Sequence, residues 1–209
     1  MQVDDPLLLK ILNQLIISPD SYLIKTGWIL SMAKGTPCDI NGAPLPWMNY
    51  NVIQFLQKRL RKHFNLFEYG SGYSTHFYAA LVEKVVSIEY DEAWIAKIAK
   101  DLPSNCKLLY QPKDVDGLYC RMIQNTPDLY DVIIIDGRDR VNCLLQSLNK
   151  LTPAGVILLD DSQRDFYRPG LDAAVQHGFR ELEFEGLKPT GNSLDRTTVL
   201  YRNDNCLGI

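Results

Sequence analysis

The chain reads as an α/β domain built on a mostly parallel, doubly wound sheet, and three observations carry that reading. From residue 64 onward, strand-length apolar runs alternate with helix-length amphipathic segments. That is the order a parallel sheet with helices on both faces requires. Val132-Ile133-Ile134-Ile135 and Val156-Ile157-Leu158-Leu159 are unbroken apolar runs, as expected of strands covered on both sides. Gly70 and Gly72 follow one apolar run and precede a helical pattern. Lacking a Cβ, they let the backbone turn sharply and come close to a ligand.

Residues 1–46 read as an N-terminal helical appendage or lid, and residues 47–209 as the main domain. In the appendage, Pro6 suits a first helical turn, and Leu8, Ile11, Leu12, Leu15 and Ile16 share one helical face. Ser18-Pro19-Asp20 predicts the start of a second helix that ends near Gly35. Residues 36–47 form a loop with an Asn41-Gly42 turn signal, and Trp47 and Tyr50 lead into a helix carrying Val52, Ile53, Leu56 and Leu60. Strands are predicted at 64–69, 84–89, 106–110, 131–136 and 155–160, with helices near 74–82, 92–100, 115–125 and 140–150. A helix near 168–177 then leads to a strand at 179–185, a long turn over 186–195 and a last strand at 197–201.

Composition narrows the function classes. A length of 209 residues suits one domain with an appendage and buries a sizeable core. The formal net charge of −3 gives no basic face for nucleic acid. Five scattered cysteines without a C-x-x-C pair favour reduced thiols and a cytoplasmic location. The apolar run from Leu7 to Ile17 is interrupted by Lys10, Asn13 and Gln14 and is too short to span a bilayer. No signal-peptide pattern is read ahead of it, so no membrane partner is expected.

Ligands of such sheets bind beyond the carboxyl ends of the strands. The residues predicted there are strongly charged: Glu68, Glu89, Asp136 with Arg138, Asp139 and Arg140, and Asp160-Asp161 with Arg164. Carboxylates that converge on a dry pocket repel one another unless a cation intervenes. Either a hard divalent cation such as Mg²⁺, held by Asp136, Asp160 and Asp161, or pairing with Arg138, Arg140 or Arg164 would relieve the repulsion.

The stretch from Phe67 to Asp161 resembles class I S-adenosylmethionine-dependent methyltransferases. Glu68-x-Gly70-x-Gly72, the acidic end of the second strand at Glu89 and that of the fourth at Asp136 stand where the family carries its motifs. Ser74 occupies the place of a frequent third glycine. The resemblance implies a Rossmann-like seven-stranded sheet with an antiparallel last strand. It also implies that S-adenosylmethionine is held by Glu68, Gly70, Gly72, Ser74, Glu89 and Asp136, with Asp114 (or its neighbour Asp116) at the adenine. The acidic spacing is similar to that of metal-dependent small-molecule O-methyltransferases, which implies a small-molecule acceptor; Asp139, which matches no family motif, is the candidate base that deprotonates it. A nicotinamide-dependent oxidoreductase would need a last glycine where Thr75 stands. A non-catalytic nucleoside-binding scaffold is the third reading, and the oligomeric state, a homodimer included, is left open.

Overall fold

The computed structural model describes residues 5–209. Its helices are α1 (Pro6–Ile17), α2 (Tyr22–Lys25), α3 (Trp28–Lys34), α4 (Tyr50–Arg59), α5 (Tyr73–Ala79), α6 (Glu92–Ile98), α7 (Leu118–Arg121), α8 (Arg140–Ser147) and α9 (Arg168–Gln176). The strands are β1 (Asn65–Tyr69), β2 (Lys84–Glu89), β3 (Cys106–Tyr110), β4 (Tyr130–Ile135), β5 (Leu151–Asp160), β6 (Arg180–Leu187) and β7 (Leu194–Tyr201). They form one seven-stranded sheet in the order β3-β2-β1-β4-β5-β7-β6. The first five strands are parallel, and β7 runs antiparallel between β5 and β6.

The period-2 alternation of strand side chains divides the core into two layers. Leu66, Val132, Ile134 and Leu158 face α4 and α5, and pack with Met48, Ile53 and Tyr78. Phe67, Ile133, Ile135 and Leu159 face the other way, and pack with Tyr119, Leu144 and Leu171. Residues 133 to 135 are at most 1% exposed, which accounts for their having no polar member.

Five differences from the sequence expectations have identifiable physical causes. The second helix is two, because Gly27 adopts φ 83° and breaks it. A Cβ at Gly27 would stand 2.4 Å from the Asp39 carbonyl carbon, so the break is what lets the following loop fold back. Ser21, not Ser18, caps α2 through its hydroxyl. The helix expected over 115–125 is the short α7 followed by a 3₁₀ turn at Met122–Asn125. β5 starts at Leu151, where a register shift against Tyr130/Val132 accommodates Pro153 and Gly155. Finally, the long turn contracts to residues 188–193, because Leu187 pairs with Leu194 and zips both strands toward it.

Candidate functional site

A cleft of about 680 Å³ opens over the carboxyl ends of β1, β2, β4 and β5. Its floor is the glycine loop. Gly70 has φ 91°, a conformation that L side chains rarely adopt, and a Cβ there would lie 2.9 Å from the Asp136 carbonyl oxygen. Gly137 lacks the positive φ but has little room: a Cβ there would meet Tyr119 Oη at 2.1 Å and Gly70 N at 3.1 Å. The β1 and β4 turns therefore interlock through two glycines, and only the first was legible as a loop signal. Gly72 differs. Its backbone is extended, and a Cβ would make an ordinary 3.5 Å contact with Trp94.

Glu68 lies beneath this loop, fully buried. It accepts hydrogen bonds from Ser74 Oγ (2.5 Å), Thr75 Oγ1 (2.6 Å) and Ser87 Oγ (2.8 Å). Thr75 Oγ1 in turn accepts from Gly72 N at 3.0 Å. Glu68 thus shapes the loop from below, while Ser74, Gly70 and Gly72 line the cleft itself. Burial raises the Glu68 carboxyl from about 4.5 to about 7 against those three donors. Between these values the folded protein binds a proton that the unfolded chain releases. The stability contributed by Glu68 is therefore full below about pH 4.5 and lost as the pH rises through about 7. Glu68→Gln is expected to flatten that slope in thermal midpoints taken across the range, and an unchanged slope would refute the assignment.

Glu89, 4% exposed, closes β2 at the cleft wall. Its Oε2 accepts from Ser71 N (3.1 Å) and Ser71 Oγ (3.2 Å), and its Oε1 from Tyr90 N (2.8 Å) and Asp91 N (3.0 Å). Two donors on each oxygen satisfy the carboxylate and tie the glycine loop to β2. Trp94 fastens the same loop by donating from Nε1 to the Ser71 carbonyl at 2.9 Å. Tyr90 stands on the wall with Arg138 on its hydroxyl (2.9 Å) and both Arg138 and Lys113 over its ring. None of Ser71, Tyr90 and Trp94 carries a sequence signal beyond proximity to the motif.

The opposite half of the cleft is an ionic cluster. Arg140, 8% exposed, bonds Asp136 Oδ1 at 2.9 Å and the Asp160 carbonyl at 2.5 Å, and lies 3.3 Å from Asp161 Oδ2. Lys188 reaches from the β6–β7 turn to Asp161 and Asp195, at 3.2 Å from each. Burial pushes Asp136 and Asp160 up from the ordinary aspartate range, Asp160 far up, and Arg140 only partly offsets it. Burial also acts on Asp161, but Arg140, the Asp195 carboxyl and Lys188 outweigh it and hold that group low. Asp195 is raised to about 6 by burial, with Asp161 beside it.

This geometry bears on the predicted metal set. The carboxylates that converge within 4.8 Å are Asp160, Asp161 and Asp195, whereas Asp136 turns to Arg140. Arg140 and Lys188 already supply the positive charge among these acids, so the donor set does not fit Mg²⁺ and the arginine-pairing alternative describes the cluster. Asp195 arrives from β7 and could not be placed from sequence.

Two further residues stand elsewhere than expected. Asp139 does not line the cleft; it accepts from Asp116 N (2.8 Å) and Asn142 Nδ2 (2.8 Å) and joins two loops. Asp114 caps α7 by accepting from Leu118 N (2.7 Å) and Tyr119 N (3.1 Å), also outside the cleft lining. Asp116 pairs with Arg121 at 2.6 Å. The carboxylate that combines cleft access with a raised pKa is Asp136, its side chain 23% exposed. Gly35, Thr36 and Pro37 also line the cleft, as does a half-exposed Trp47.

No protein-family model matches the chain, and no curated protein matches its sequence. Solved structures do match its fold. An rRNA methylase from Streptococcus thermophilus aligns with a TM-score of 0.53 at 15% identity, over 71% of this chain and 92% of its own. A Streptococcus mutans protein in complex with SAH gives 0.53 at 14% identity, over 71% and 94%. A methyltransferase-like protein from Silicibacter pomeroyi gives 0.52 at 24% identity, over 75% and 89%. With its strand order and antiparallel seventh strand, the chain has the Rossmann-like fold of the class I methyltransferases.

Proposed function

We propose that the chain is an S-adenosylmethionine-dependent methyltransferase that methylates an oxygen of a small molecule. The observation that carries this reading is the interlock of Gly70 and Gly137 beside Glu89, which leaves a backbone-lined cradle at the carboxyl ends of β1 and β2. The cradle fits a nucleoside bearing an amino-acid group: bare backbone for close approach, a carboxylate at the second strand and an aromatic wall in Tyr90 and Trp94. Thr75 speaks against a dinucleotide. It is fully buried and bonded to Gly72 N and Glu68, in the place where a pyrophosphate loop needs a glycine.

S-adenosylmethionine, when bound, supplies an electrophilic methyl on a sulfonium. The chain's part is alignment and proton removal. Ser71, Gly72 and Glu89 hold the donor side, while Trp47, Thr36 and Lys188 border the acceptor side. Asp136 takes the acceptor hydroxyl proton. Its raised pKa brings it nearer to neutral pH, and Arg140 fixes its orientation. A net charge of −3 and a cleft that carries carboxylates disfavour a phosphate backbone as acceptor.

Calorimetry with S-adenosylhomocysteine and NAD tests the donor. Binding of the first and not the second is expected; the reverse would sink the proposal. Asp136→Asn is expected to lower turnover about 100-fold or more with S-adenosylhomocysteine affinity retained. Turnover on ribosomal RNA fragments and none on small hydroxylated acceptors would overturn the choice of acceptor.

A further inference from the structure

We propose that α1 docks the protein onto a neutral lipid surface, lying in the plane of the interface. The proposal is independent of the methyl-transfer reading.

The motivating feature is an apolar helix with no buried residue. Leu7, Leu9, Ile11, Leu12, Leu15 and Ile16 are each 38–65% exposed. At about 100° per residue these side chains cover an arc of roughly 200°. Lys10, Asn13 and Gln14 share the remaining side with Ile17, itself 67% exposed. Elsewhere most large aliphatic residues are buried in two layers around the sheet, and exposed ones such as Val115, Leu118 and Leu194 are scattered along the chain, whereas α1 carries a run of them. The helix is joined to the body through α2, where Ser21 Oγ donates to the Leu15 carbonyl.

Length and charge decide what covers this surface. The stretch Pro6–Lys25 has the composition of a membrane span, but a turn at residues 18–21 divides it. α1 alone is about 18 Å long at 1.5 Å per residue, short of the roughly 30 Å of hydrocarbon in a bilayer. It is suited to lie on a membrane and not to cross one. A second copy fits less well. A helix about 18 Å by 10 Å offers a footprint of a few hundred Å², below the about 800 Å² per partner of a stable interface. A paired helix would also cover only a narrow stripe of so wide an arc, whereas lipid accommodates all of it.

Charge selects the type of lipid. Lys10 is the one charged side chain within α1; Asp5 caps it, and Asp20 beyond its end is paired with Lys25. With a net charge of −3, the protein gains nothing from anionic headgroups, so apolar burial drives docking. Tyr22, 48% exposed, follows the turn with the amphipathic ring typical of interfaces. The segment that carries α1 continues through α2 and α3 into Gly35-Thr36-Pro37, which line the cleft.

Flotation of the full chain with phosphatidylcholine vesicles at low and high salt tests the proposal. The expected result is co-flotation that salt does not weaken. Leu12→Glu with Ile16→Glu should reduce partitioning at least about tenfold, with the thermal midpoint unchanged because both residues are exposed. Should that variant melt differently, Leu12→Ser with Ile16→Ser provides the milder comparison. Failure of the full chain to float, an equal response of wild type and variants, or binding that requires anionic lipid and vanishes in salt would each overturn it. So would a stable dimer in sedimentation that the variants dissociate, without vesicle binding.

Discussion

Arg140→Met is expected to destabilise the protein by about 3–5 kcal/mol, the usual consequence of leaving buried charges without their partner. Arg140 bonds the Asp136 carboxylate and the Asp160 carbonyl, and its guanidinium lies within 4 Å of the Asp160 and Asp161 carboxylates. It therefore joins the ends of β4 and β5 while neutralising acids that otherwise repel one another. Methionine keeps the volume and the contact with the Tyr167 ring, over which Arg140 stands at 5.5 Å, but removes the charge. The deficit should depend on pH with a definite sign. Without Arg140, Asp136 and Asp160 rise further above their unfolded pKa values and Asp161 loses part of what holds it low, so the variant is more stable at low pH and weakens as these groups ionise. Urea melts at about pH 5 and about pH 8 should show the smaller deficit at the lower pH. Equal deficits at both would mean that Arg140 acts through packing and not through charge.

Gly70→Ala should damage both fold and binding, while Gly72→Ala should affect binding alone. At Gly70 the positive φ strains any L side chain, and the Cβ would meet main-chain atoms of Asp136 and Gly137 at 2.9–3.0 Å. Neither obstacle is the end of a flexible side chain. A loss of about 2 kcal/mol or more is expected, with turnover reduced about 100-fold by misplacement of the cradle. At Gly72 the extended backbone and the 3.5 Å contact with Trp94 accept an alanine. Its thermal midpoint should match wild type, and weaker S-adenosylhomocysteine binding would then report a ligand passing close to that carbon. Full retention of affinity in both variants would remove the glycine loop from the binding site.

Much of the sheet could be read before any coordinates, because its signals are local. The Val132–Ile135 and Val156–Leu159 runs need apolar surroundings on both faces, and only central strands provide them. Gly70 is a local backbone requirement, and Glu89 ends a strand whose polarity changes at that residue. Boundaries were less legible where a distant contact sets them. β5 reaches back to Leu151 because Tyr130 lies beside it, and β6 runs to Leu187 because Leu194 is its partner.

The ionic cluster shows the limit most clearly. Asp136, Asp160 and Asp161 stood out in the sequence as a charged rim, but not which of two cations would neutralise them. Asp195 and Lys188 lie outside every local motif and reach the cluster only because β7 inserts antiparallel beside β5. Asp139 and Asp136 stand three residues apart after the same strand. In space one faces the cleft and the other, at φ 49°, turns away to tie Asp116 and Asn142.

The sequence by itself determined the α/β class, the positions of the central strands and the place of the glycine loop. Each rests on apolar periodicity or on backbone freedom, properties that neighbouring residues settle among themselves. Tertiary structure decided which carboxylate faces the cleft, which cations balance the acids and which helix keeps its apolar face uncovered. Those depend on the distance and burial of groups far apart in the chain, and burial sets both the proton affinity of an acid and the fate of an apolar surface.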